Sequence, residues 1–161
     1  MIYLMISMVL SISSSGSAHH SCRDIDINFV RHQVRQALDD PDSFESKAQV
    51  SELINYWRRQ CPSSRQSASA AVVIELSSLL RVRTNRFNAP WMLSDVGSNL
   101  KFATQAIENA LAEEVEASRG SDFGATGAMI EALRCVLQKA RSGEWNPTLC
   151  SIIDQTNRIE D

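Results

Sequence analysis

Three histidines, four cysteines and two runs of carboxylates are the residues of this 161-residue chain with the types to carry chemistry. His19 and His20 stand side by side behind a tract of small residues, and His32 lies between Val30 and Val34. A Ser-His-Asp relay would have to take His32 as its base. Its spacing from two apolar neighbours instead reads as a surface position on a helix. If the chain is cut after Ala18, His19 becomes an amino-terminal residue whose amine and ring chelate copper; a cut after Ser17 places His20 third, another copper-binding arrangement. The pair is expected to be a polar terminus, with no metal and no cofactor assigned.

The cysteines are Cys22, Cys61, Cys135 and Cys150. They form no CxxC pair, and no histidine lies near the later three, so the ligand spacing of a zinc site is missing. An even number in a small exported domain reads as a disulfide framework. Once paired, none is left as a thiolate nucleophile.

One acidic run holds Asp39, Asp40, Asp42 and Glu45. It lacks the central glycine and the twelve-residue spacing of an EF-hand. Asp42 and Glu45 are better placed to start a helix, three residues apart and favoured by its dipole. The other run holds Glu113, Glu114 and Glu116, expected to form a solvated helix face. The alternative reading makes one of these three the acid of a small secreted cell-wall hydrolase. The tract Ser121-Asp122-Phe123-Gly124-Ala125-Thr126-Gly127-Ala128-Met129 resembles a stretch of the lytic transglycosylases. Ala112-Glu113 stands where that family carries its catalytic Glu-Ser, however, and too little chain follows to complete that fold. No catalytic residue is assigned. Leu133-Arg134-Cys135-Val136 resembles part of the helical periplasmic immunity proteins that neutralise cell-wall amidases, which implies a protein-binding role.

Charge is unevenly distributed. Arg58, Arg59, Arg65, Arg81, Arg83 and Arg86 face a single acid, Glu75, between residues 58 and 86; Glu108, Glu113, Glu114, Glu116 and Asp122 dominate residues 108 to 122. Of the 16 basic residues 13 are arginine, the type suited to bidentate and partly desolvated contacts. Arg83, Arg86, Phe87 and Trp91 fall close together on the connection with the least clear periodicity. Arginine and tryptophan are common interface anchors, and loops on rigid scaffolds concentrate function. These four are therefore the expected contact residues for a partner protein.

The elements that must position these residues are helical. Aromatics make up only 6% and long alternating apolar–polar runs are absent, which disfavours a sandwich or barrel. A formal charge of −3 disfavours coating of nucleic acid. Met1 to Ile12 is almost wholly apolar but shorter than the roughly 20 residues that cross a bilayer. The small residues from Ser13 to Ala18 follow it, so residues 1–18 read as a signal peptide, although no basic residue precedes the apolar run. Residues 19–161 are the expected mature domain, periplasmic or secreted, with no stable membrane insertion.

Apolar residues then recur at three- and four-residue steps. The first helix carries Ile27, Val30, Val34, Ala37 and Leu38 and stops before Pro41. The second carries Val50, Leu53, Ile54 and Trp57 and ends at Pro62. The third, from Ser63 to about Arg83, is apolar round most of its circumference and belongs in the middle. A fourth is expected from Pro90 or Ser94 to Ala117, a fifth from Asp122 to about Arg141 with Gly143 just past its end, and a short sixth from Pro147. The fold class is thus all-α, a single-domain bundle of five to six helices with two disulfides. Short turns make the first two helices antiparallel, and likewise the last two. That predicts Cys22 paired with Cys61 and Cys135 paired with Cys150. A secreted helical signalling factor is a further alternative, allowed by helix count and cysteine number.

Overall fold

The computed structural model describes residues 25–60, 68–119, 124–151 and 153. Among them are six α-helices and several 3₁₀ segments, and no strand.

Helix α1 spans Ile27–Asp39, and Asp26 caps it by accepting the Asn28 amide at 2.9 Å. Val30, Val34 and Ala37 form its buried stripe. Helix α2, Phe44–Gln60, starts one turn after Pro41. Its cap is Ser43, whose Oγ accepts the Ser46 amide at 3.0 Å; the expected capping residue, Asp42, lies one position too early. Ser46 in turn donates from Oγ to the Ala37 carbonyl at 2.8 Å, which ties the turn to the end of α1. The two helices run antiparallel: Tyr56, near the end of α2, accepts the Asp26 amide at 3.0 Å and packs on Phe29 with ring centroids 4.4 Å apart and ring planes tilted by 44°. Cys22 and Cys61, the expected clamp across this hairpin, lie outside the described residues.

Helix α3 is shorter than its apolar pattern suggested, Ala70–Ser77, with Ser69 accepting the Val72 amide at 3.3 Å. Ser77 and Ser78 both donate from Oγ to the Ile74 carbonyl, at 2.8 and 3.3 Å. Such side-chain bonds compete with the helical ladder. Here the chain tightens into 3₁₀ geometry, first Ser78–Arg81 and then Arg83–Phe87. Helix α4, Ala89–Ser94, carries Pro90 in its first turn as expected.

The long fourth helix expected from Pro90 or Ser94 to Ala117 is interrupted. Gly97 adopts φ +72°, a left-handed conformation natural to glycine, and the chain continues as a 3₁₀ segment, Gly97–Ala103. Only then does helix α5, Thr104–Ser118, begin. Helix α6, Gly124–Ser142, closes at Gly143 with φ +76°. Of the helix expected from Pro147, only the opening turn is described, where Asn146 Oδ1 accepts the amides of Thr148 and Leu149 at 3.1 Å each.

Helices α1 and α2 pair as one hairpin and α5 and α6 as another, and α3 packs on α1, on α4 and on the Gly97–Ala103 segment. Trp57, Leu53, Leu76, Leu80, Leu93, Ile107 and Leu133 meet in one continuous core. The Cys135–Cys150 disulfide forms as expected, and both cysteines are buried. It holds the segment after α6 so that Ile153 reaches the core.

Candidate functional site

Arg83 and Arg86 lie on the Arg83–Phe87 segment, where three residues per turn bring i and i+3 to the same side. Both guanidinium groups point at α5. Arg86 Nη1 donates to Glu114 Oε1 at 2.8 Å, Nη2 to Glu113 Oε2, and Nε to the Leu80 carbonyl at 2.7 Å. Arg83 Nε is shared between the two oxygens of Glu114, at 3.2 Å each, and its Nη2 reaches Thr126 Oγ1 of α6 at 3.4 Å. Glu114 has no exposed surface and Arg86 only 4%. Burial opposes the charge on Arg86, but the hydrogen bonds to Glu114 and Glu113 outweigh it and hold the group above the ordinary arginine value.

This arrangement staples the connection after α3 to α5 and to the start of α6. Both oxygens of Glu114 are engaged, so it cannot protonate a leaving group while the network stands. Glu116 is instead an exposed partner of Arg119 at 2.8 Å. Glu113, on the rim, keeps one carboxylate oxygen on Arg86.

The four residues expected to contact a partner do not form one patch. Arg86 is turned inward. Arg83 keeps 57% of its side chain exposed while holding Glu114. The Phe87 side chain lies outside the described residues. Trp91 is half-buried and belongs to a different neighbourhood, under the Arg58 guanidinium of α2, whose carbon stands 4.7 Å from the ring centroid. The Trp91 Nε1 donor has no hydrogen-bond partner.

Sequence reasoning missed a second charged cluster, next to Trp91 on α4. Lys139 of α6 donates to the Ser94 carbonyl and sits 5.2 Å from the centroid of Trp145. Asp95 is the opposite charge acting on it. Burial raises the Asp95 carboxyl above its usual range, with Lys139 and Ser94 pulling the other way; burial lowers the Lys139 ammonium, with Asp95 opposing. No spacing signal joins residues 44 apart.

His32, Asp39, Asp40, Asp42 and Glu45 are exposed, while His19 and His20 lie outside the described residues. Among the described residues no three His, Cys, Asp or Glu side chains gather as a metal set, and no helix is long and apolar enough to cross a membrane. Comparison with protein-family models, with curated proteins and with solved structures finds no match to this chain, so its geometry alone carries the functional reading.

Proposed function

We propose that the chain is an exported, non-enzymatic helical module that binds another protein, of the inhibitor, immunity or envelope-accessory kind. The observation that carries this reading is the Arg58–Trp91 stack. It joins the end of α2 to α4 at the surface and presents the two residue types most enriched among interface anchors. A cation held over an indole face is ordered before a partner arrives, which lowers the entropy lost on binding. The Cys135–Cys150 disulfide supports export, since such bonds persist in oxidising compartments.

The test immobilises disulfide-intact residues 19–161 and compares what wild type and Trp91→Ala retain from the envelope fraction of the source organism. A protein held stoichiometrically by wild type and lost from Trp91→Ala, with the helical circular-dichroism signal unchanged, is expected. Equal retention by both would discard this face. Export is checked by the mass of the chain recovered from that fraction, expected to begin after residue 17 or 18. Hydrolysis of peptidoglycan that disappears in Glu113→Gln would replace the binding reading with the hydrolase.

A further inference from the structure

A second face is independent of the Trp91 surface. On α3 the residues Val72, Val73 and Leu76 point inward, while Ile74 is 51% exposed. Ala71, one turn earlier, is also exposed. Beside α3 runs the Gly97–Ala103 segment, joined to its start by the Ala68 amide donating to the Val96 carbonyl at 3.2 Å and by Asn99 Nδ2 donating to the Ala68 carbonyl at 2.6 Å. The two stretches continue in the same direction, since the Ser78–Arg81 segment that follows α3 packs on α5.

In 3₁₀ geometry side chains three apart eclipse. Leu100 and Ala103 are buried, so that pair faces the core. Asn99 reaches Ala68, just ahead of α3, so Phe102, one 3₁₀ turn on, continues along the α3 side of the segment, and it is 49% exposed. Lys101 takes the remaining direction, away from α3, with its Nζ 5.5 Å from the Phe102 ring centroid. On the opposite flank of α3, Glu75 turns toward α1 and holds Arg31 at 2.7 Å. Across the face the order is therefore acid, aliphatic, aromatic, base: Glu75, Ile74, Phe102, Lys101.

That order complements itself. A two-fold axis lying in the plane of the face, between Ile74 and Phe102, reverses the sequence in the facing copy. Each Ile74 then meets a Phe102, and each Glu75 meets a Lys101. We propose that the occupant of this face is a second copy of this chain, in an isologous dimer. Half-exposed apolar side chains between charges of opposite sign are the content such a contact needs, and Lys101 makes no ion pair among the described residues. The face is small, which sets a weak association, micromolar or above.

Sedimentation equilibrium of the disulfide-intact residues 19–161 from about 1 µM to about 1 mM reads the dimer directly. Wild type is expected to pass from one chain mass to two. Phe102→Asp, Glu75→Lys and Lys101→Glu are each expected to weaken the association at least about tenfold, with unchanged circular dichroism. The two single charge reversals mixed in equal amounts restore both cross-pairs, because Lys at position 75 of one chain meets Glu at position 101 of the other. The mixture is expected to dimerise where neither variant does alone. A wild type that stays monomeric to about 1 mM, or a Phe102→Asp variant that dimerises like wild type, overturns the proposal. So does a mixture that stays monomeric. None of these outcomes bears on the Trp91 surface, which is read by capture of a different protein.

Discussion

The chain contains two inward-facing charge clusters, and burial has opposite consequences in them. In the first, Arg86 finds an acceptor for each of its three donor nitrogens, two of them carboxylates, and its positive charge is favoured despite being almost wholly buried. In the second, Lys139 has a carbonyl, an indole face and one carboxylate whose own charge is disfavoured, and both charges sit at a cost. The difference is one of matched geometry. A planar guanidinium spreads its charge over several fixed donors and is weakly hydrated, so it gives up little on burial. An ammonium is compact and strongly hydrated, and one distant carboxylate does not replace its water.

The largest expected effect comes from breaking the first cluster. Glu114→Ala leaves the Arg86 guanidinium buried beside only the rim carboxylate of Glu113. A loss of about 3–5 kcal/mol in urea unfolding is expected, enough to unfold many domains of this size. Removing the other buried link, by Cys135→Ala with Cys150→Ala, is expected to cost about 3 kcal/mol from the loop entropy of the unfolded chain. Arg83→Met should cost no more than about 1 kcal/mol, because its guanidinium is half in solvent and Arg86 still holds Glu114.

Replacing the second cluster as a pair, Asp95→Leu with Lys139→Met, is expected to change stability by less than about 1 kcal/mol and toward the stable side. The pH dependence follows from the directions of the shifts. The raised carboxyl of Asp95 contributes stability below its ordinary value, near about 3.9, and loses that contribution as pH rises through its folded value. The lowered ammonium of Lys139 contributes above about 10.4 and loses its contribution as pH falls through its folded value. Wherever both groups are charged, both act against the fold. Urea titrations of wild type and Asp95→Asn should therefore converge, and then favour the variant, as pH rises from the acid side. A wild type that gains on Asp95→Asn with rising pH would show that the pair attracts more than burial costs.

The local signals were legible in the sequence. Pro41 and Gly143 mark helix ends, Pro90 marks a helix start, and the short final connection identifies Cys135 and Cys150 as partners. The break at Gly97 was not, because the apolar spacing from Leu93 to Val115 continues across it. A glycine at positive φ resets the helix axis without disturbing the spacing. The role of Arg86 was also hidden. The arginine-rich and glutamate-rich stretches were each visible, yet read separately as an exposed binding loop and a solvated face. They are the two halves of one internal network, joined across 27 and 28 residues of chain, a separation that no helical period encodes. From sequence alone, Arg86→Glu combined with Trp91→Ala would weaken partner binding and spare the fold. The structure reverses the first half of that expectation: a third carboxylate placed against Glu113 and Glu114 is expected to cost the fold itself, so Trp91→Ala alone is the informative binding variant.

The most direct test of Arg86 as an internal fastener rather than a contact residue is a double-mutant cycle of Arg86→Met and Glu114→Leu, read by urea unfolding. A coupling energy of about 2 kcal/mol or more is expected, with the double variant more stable than the single Glu114→Leu. A coupling below about 0.5 kcal/mol, with Arg86→Met as stable as wild type, would contradict it and return Arg86 to the surface.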